Sequence, residues 1–438
     1  MSESQDINRP SLKSDRGLRL VFTGSVWELI LRQLSHGSTA GAFARLRLHG
    51  TPVAVEYLCD HVQLVDAPPT GSTLRPTEDW LFISFHRPGQ ASADSIRPHM
   101  LQPGSWQTLI WLELDRSRPG SWQSVVSRCG QQDTLTEILI IGPGLLRLVP
   151  TASGDHVSPA EDSGVYADRW SRTRGVVGDR VLQRLQSSRV MLVGAGRNGT
   201  LAAFQLASLG VGCLALMDAD TLQIHNMDAN PGVPLPGCGL PKVQALAEAL
   251  RLFRPDLTVQ LVQQHADYRT LETYLRERSD LVVTCVDSDT PRMGVSFVAR
   301  RNLLLHLDIA TSIQRLPTGE LSLTGDASLL LPATGCCSCV GGFQNPAATR
   351  HDLTAPPNSL RRQMQPEWHQ QRAGSLVTLN SIVVGAAVQT WLDLLTGVQT
   401  TSVWHRFRWR PGTGLQADST PVQAGENCEI CGMFRQAG

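Results

Sequence analysis

Gly194, Gly196 and Gly199 form a GxGxxG within the stretch VMLVGAGRNGTLAAFQLASLGVGCLALMDAD, residues 190–220. An apolar run precedes the glycines, a helix-forming run follows, and a second apolar run ends at Asp218 and Asp220. The order reads as strand, glycine turn, helix, strand. Such a turn lets backbone N–H groups approach a phosphate at a helix N-terminus, where unpaired amides and the helix dipole favour negative charge. Asp218, closing the second strand, can hold the ribose hydroxyls of ATP or of NAD.

Residues further on separate those two nucleotides. In GLPKVQALAEAL, Lys242 falls in the first turn of a helix, where its point charge suits a triphosphate. In VTCVDSDTPR, Asp287 falls at the carboxyl end of a strand, with Arg292 on the next helix. Ligands of open α/β sheets bind at such ends, and a carboxylate there can hold Mg²⁺ on phosphates. Taken singly, Lys242 is a solvated lysine and Asp287 a helix N-cap. Their order behind one glycine turn favours ATP.

The cysteines suggest a second kind of chemistry. Cys336-x-x-Cys339 and Cys428-x-x-Cys431 each present two thiols from a short loop, which fits a tetrahedral Zn²⁺ site with sulfur about 2.3 Å from the metal. Four thiolates leave no open position, so the metal would be structural. Cys59, Cys129, Cys213 and Cys285 lie in strand-like or turn contexts and read as inert. Cys238, in the Gly/Pro loop PGVPLPGCGLPK, stands four residues before Lys242, close to a helix N-terminus, and is the candidate reactive thiol.

These groups need elements to position them. The 438 residues are enough for two domains, and 39 basic residues balance 39 acidic ones, which argues against nucleic acid or an anionic membrane as the main partner. The polar N-terminus does not read as a signal peptide, and a cytoplasmic location is expected. Residues 1–17 read as a disordered tail. Residues 18–150 read as a smaller α+β domain with one amphipathic helix, SVWELILRQLS, and residues 151–165 as a Ser/Gly/Asp-rich linker. From 166 to 438 strands alternate with helices in an α/β, doubly wound, Rossmann-like pattern, interrupted by an irregular stretch over about 343–372.

The second domain resembles the ThiF/MoeB-type adenylyltransferases, the family that includes the nucleotide-binding half of ubiquitin-activating enzymes. The resemblance covers about 166–435 and rests on DRWSRTRGVVG, the glycine turn, DAD…HNMD, GLPK, VDSDTPR and the two cysteine pairs. It implies that ATP and Mg²⁺ activate the C-terminal carboxylate of a ubiquitin-like protein ending in Gly-Gly. By position, Asp218 would hold ribose, Asn226 and Lys242 phosphate, and Asp287 the metal. Arg172 would reach into the twin subunit of a homodimer. One position departs: where the family has Asn-Leu-x-Arg, this chain reads Asn226-Met227-Asp228-Ala229. Arg197, in a turn position where the family has glycine, is expected to supply the missing charge.

In the first domain, WLFISFHRPGQASADSIRPHM resembles a worn JAB/MPN metalloprotease motif. Pro88 and Ser95 keep its spacing, but Phe85, Arg87 and Pro98 stand at the three ligand positions and cannot bind Zn²⁺ there. The resemblance implies a dead isopeptidase fold kept for binding. Otherwise Phe85 is core and Arg87-Pro88-Gly89 a turn. The function expected of the whole is activation of a ubiquitin-like protein in a bacterial conjugation pathway, with a conjugating enzyme as a further partner and antiphage defence as a setting. Adenylation of a ribosomal peptide, NAD(P)-dependent oxidation and a non-catalytic scaffold are the alternatives.

Overall fold

The computed structural model describes residues 17–36, 41–50, 54–65, 78–86, 108–115, 122–128, 131–142, 146–148, 167–275, 279–316, 319–332, 334–343, 376–410, 412–426, 428 and 430–432. The tail before residue 17, the linker, the irregular stretch after 343, Cys129 and the positions Arg87, Pro88, Ser95 and Pro98 lie outside the described residues. The chain divides into two compact units, Met1–Glu161 and Asp162–Ala437.

The first unit is built on a mixed sheet. Its order is β10 (Leu146–Leu148), β9 (Glu137–Ile141), β1 (Gly17–Thr23), β3 (Ala54–Cys59), β2 (Gly41–Gly50), β5 (Asp79–His86), β6 (Thr108–Asp115), β7 (Trp122–Arg128) and β8 (Gln131–Asp133), with β4 (Gln63–Val65) beside β2. Strand β1 runs parallel to both β3 and β9, and β5 parallel to β6. The amphipathic helix α1 (Gly24–His36) buries Val26, Trp27, Ile30 and Leu34 in one core cluster with Leu20, Phe22 and Ile138, a spacing that puts all four on one helical face. Phe85 belongs to that same cluster. A second cluster of Phe43, Phe82, Leu109 and Trp111 includes Trp80 at its edge, with Phe43 stacked on Trp80 at 4.7 Å.

The second unit is a doubly wound α/β fold. Its sheet runs β13 (Thr258–Val262), β12 (Cys213–Met217), β11 (Arg189–Val193), β14 (Leu281–Thr284), β15 (Leu305–Arg315), β16 (Leu321–Leu330), β17 (Val403–Arg410), β18 (Gly414–Pro421). The first five are parallel, and the last three continue antiparallel. Strands β11, β12 and β14 are buried almost throughout, as expected for parallel strands covered on both faces. The chain leaves β11 toward β12 and β13, then returns to β14 on the other side. The order therefore reverses between β11 and β14, and in open α/β sheets the crevice outside the strands' carboxyl ends at such a switch point is where ligands bind.

Helices α2 (Ser171–Ser187), α3 (Arg197–Leu209), α4 (Lys242–Phe253), α5 (Tyr268–Leu275), α6 (Asp289–Arg301) and α7 (Val377–Thr396) complete the unit. Helix α2 breaks at Gly178, where φ is +76°. Helix α7 is long and apolar enough to span a membrane by length and composition, yet it packs on β15, β16 and α3. Its Val383 fills the space beside Gly325 on β16, where a Cβ would come within 2.2 Å of it. Core packing accounts for its composition.

Candidate functional site

The glycine turn follows β11 at the switch point. Gly194 has φ +99°, and a Cβ there would meet the Cys285 carbonyl at 2.8 Å. A Cβ on Gly199 would lie 1.9 Å from the Gly194 carbonyl, so no side chain fits. Gly196 differs: nothing lies within 4 Å of where its Cβ would be. The first and third glycines let the turn close on itself, while the second leaves open room in front of the α3 N-terminus. That is the arrangement a phosphate requires.

Asp218, just past β12, fastens this turn. One carboxylate oxygen accepts the Ala195 N–H at 2.8 Å and the other the Asp220 N–H at 2.9 Å. Burial raises its pKa, opposed by the charge of Lys242. Lys242, at the start of α4, pairs through Nζ with Asp220 at 2.7 Å, and its backbone N–H donates to the Asp220 carbonyl. Asp220 is exposed, so the lysine is held at the crevice by a partner that water already solvates.

Asn226 lies in a short 3-10 turn, Ile224–Ala229, where its side chain accepts the Gln223 N–H at 3.3 Å. Arg197 opens α3 and is 8% exposed. Its guanidinium reaches Asp228 at 3.1 Å, so it lies beside the segment that ends at Ala229, and its buried Nε has no partner. Asp287 is exposed just beyond β14. Glycine turn, Asp218, Lys242 and Asp287 thus converge on one edge of the sheet. Arg172 is exposed in the first turn of α2.

Cys238 is half-buried and follows the 3-10 turn Leu235–Gly237. Its loop is pinned to the segment after β12 by two backbone bonds between Leu222 and the pair Gly239 and Leu240, each 2.8 Å. Cys59 and Cys285 are buried, and burial pushes both thiols well up. Cys337 is fully buried as well.

The two CxxC pairs come together in one cluster. The Sγ separations are 3.7 Å for Cys336–Cys339 and 3.5 Å for both Cys336–Cys428 and Cys339–Cys431. A tetrahedron with bonds of about 2.3 Å has edges of about 3.8 Å. The Gly425 N–H also donates to Cys339 Sγ at 3.3 Å, and the cluster sits among Met293, Phe343, Val422 and Ile430. The donor set fits Zn²⁺.

The sequence reading did not anticipate a buried polar group beside this cluster. Arg292 on α6 donates from Nε and a terminal nitrogen to Asp308 on β15, at 3.1 and 2.5 Å. Thr284 Oγ1 donates to Asp308 at 2.8 Å and lies 2.6 Å from His306 Nε2. A hydroxyl has one proton, so it accepts from His306, leaving Nδ1 bare toward the Cys337 thiol at 3.9 Å. Burial lowers the His306 pKa to about 4. Burial also works against the charges of Arg292 and Asp308, but their mutual attraction overrides it, so both stay ionised. None of these partners is near in sequence, so no spacing announces them. A second unanticipated cluster joins the glycine turn to α7: Asn380 donates to Asn198 at 2.6 Å and to Thr311 at 2.8 Å.

The ThiF family model matches residues 170–429. The sulfur carrier protein ThiS adenylyltransferase of Escherichia coli is 23% identical over 57% of this chain and 88% of its own length. The ubiquitin-like modifier-activating enzyme 5 of Aedes aegypti is 26% identical over 56% of this chain, which spans only 59% of that protein. Among solved structures, E. coli MccB with ATP is 15% identical with a TM-score of 0.45, over 60% of this chain and 74% of that one. The chain belongs to the ThiF family, and it is an ATP-dependent adenylyltransferase like the relatives so named.

Proposed function

We propose that the chain binds ATP in the crevice of its second unit and adenylates the C-terminal carboxylate of a small ubiquitin-like protein. The convergence of the glycine turn, Asp218, Lys242 and Asp287 at the switch point carries this reading. A carboxylate oxygen of the partner attacks the α-phosphorus, an acyl-phosphate bond forms, and pyrophosphate leaves with the electron pair of the broken P–O bond. Asp218 orients the ribose. The α3 amides around Gly196 receive phosphate oxygens, and Asn226 contributes from the facing turn. Lys242 turns from Asp220 to the phosphates, where charge develops as pyrophosphate departs. Asp287 would hold Mg²⁺, which would neutralise phosphate charge.

Arg197 stands in for the arginine that Ala229 lacks, since its guanidinium already reaches the neighbouring Asp228. Arg172 completes the site of a second copy, and the four cysteines hold Zn²⁺. Any thioester forms on Cys238. The first unit serves partner binding, as a JAB-like fold without metal ligands would. The test is ATP–pyrophosphate exchange with a purified Gly-Gly-ending ubiquitin-like protein. Exchange in Lys242→Ala or Asp287→Ala at the wild-type rate would defeat the assignment.

A further inference from the structure

Helix α6 touches the crevice at one end and the cysteine loop along its side. It begins at Asp289, two residues after Asp287. One turn in, the Arg292 guanidinium donates both to Asp289 Oδ1 at 3.2 Å and to the Gly342 carbonyl at 3.0 Å. Gly342 closes the cysteine loop, with its N–H on the Cys337 carbonyl at 3.1 Å. A turn further along α6, Ser296 Oγ accepts the Cys337 N–H at 3.1 Å. The loop between two CxxC ligands and the last glycine is therefore tied to α6 at two successive turns. Arg292 itself is fixed from behind by Asp308, so it cannot follow one partner without releasing another.

His306, Asp308 and Cys337 have the residue types of a second metal site, with ligand atoms within 4.8 Å of one another. The Asp308 carboxylate is committed to Arg292 and Thr284, however, and the guanidinium occupies the place a cation would take. The cluster is organised around a fixed side chain.

We infer that Arg292 is a positioning residue that couples the cysteine site to the nucleotide crevice. The inference rests on the nucleotide and zinc assignments proposed above. When the four thiolates are held by metal, the Gly342 carbonyl stays under Arg292, and Arg292 keeps Asp289 and the start of α6 in place behind Asp287. When the metal leaves, the loop relaxes, the Gly342 bond opens, and the segment carrying Asp287 loosens. Coupling of binding free energies is reciprocal, so bound ATP must tighten zinc by the factor by which zinc tightens ATP.

The experiment measures zinc affinity by equilibrium competition with a chromogenic chelator, with and without saturating Mg²⁺–ATP, in the full chain. Calorimetry sets the saturating ATP concentration for each protein. In wild type, ATP is expected to tighten zinc at least about fivefold, the lower range of allosteric coupling. In Arg292→Lys, whose single nitrogen replaces three that reach four acceptor atoms, the ratio falls to about one. Asp289→Ala provides the second variant, because it leaves the buried Arg292–Asp308 pair intact and removes the acceptor at the start of α6; its ratio falls as well. Coupling that arose only because zinc loss unfolds the chain would survive both substitutions, and that result overturns the inference. So does a wild type that binds ATP and zinc with no effect of one on the other. A wild type that binds no ATP brings down the nucleotide reading itself, and the inference with it.

Discussion

The crevice at the start of helix α6 and the Arg292 cluster along the side of that helix use the same residue types in opposite ways. In the crevice, Asp220, Asp287 and Asp228 are exposed, and Lys242 and Arg197 each pair with a carboxylate that faces water. In each pair the cation is largely buried and the carboxylate solvated, with side-chain exposures of 7% against 79% and 15% against 62%, so the carboxylate can return to water when a phosphate takes its place. In the cluster, Asp308 and His306 are each 2% exposed, and bonds to Arg292 and Thr284 hold them. Removing one member of a buried pair typically costs about 3–5 kcal/mol, because the remaining charge stays desolvated. The crevice is arranged to exchange partners, the cluster to keep them.

The sharpest way to break this contrast is to take the metal from the cysteine site beside the buried cluster. Cys336→Ser, or stripping with a strong chelator, should lower the melting temperature of the second unit by releasing the cysteine loop while the sheet stays folded, since a structural metal contributes folding free energy. Metal analysis and thermal unfolding check this. Less than half an equivalent of zinc after purification without chelator, or an unchanged melting temperature in the variant, would assign the cysteines another role.

In the crevice, Lys242→Ala and Asp287→Ala should each lower pyrophosphate exchange by about 10²-fold or more while circular dichroism stays unchanged. A loss of fold in either variant would mean that the crevice charges are structural after all.

Acid should separate the crevice from the cluster next. His306 has a folded-state pKa of about 4, below the ordinary 6.5. Between those values the unfolded chain binds the proton more readily, so this contribution to stability is whole above pH 6.5 and is lost as pH falls toward 4. The difference corresponds to about 3 kcal/mol. Urea unfolding at pH 7 and at pH 4.5 should therefore show a smaller acid-induced loss in His306→Gln than in wild type. Equal losses would place the acid sensitivity elsewhere.

The smallest expected effect is at Arg197. Arg197→Gly should raise the ATP KM severalfold, equivalent to about 1 kcal/mol, with kcat changed less. Unchanged kinetics would leave the position of Ala229 without a substitute charge.

The same contrast explains what could be read from the sequence. The βαβ unit around Gly194–Gly199 was legible because its glycines, apolar strands and helix are contiguous and each obeys a local rule. Asp218, Lys242 and Asp287 were legible because each follows directly on a strand end or opens a helix. Strands β16 to β18 were not. Their sequences, LSLTGDASLL, VWHRFRWR and GLQADSTP, carry polar residues on a face left partly open, and all of β18 is exposed. Arg292 could be placed on a helix after Asp287, but its partners Asp308 and Gly342 lie 16 and 50 residues away. Nothing short of the folded sheet brings them together. Exposed ligand-facing groups keep their order along the chain, whereas a buried network is defined only by packing.

The central claim is that the crevice activates a carboxylate with ATP. It is tested most directly by following labelled pyrophosphate into ATP with a Gly-Gly-ending ubiquitin-like protein, beside the same protein with its C-terminus amidated. The account predicts exchange with the free carboxylate and none with the amide. Exchange that persists with the amidated partner, or its absence with every free carboxylate offered while ATP binds, would contradict it.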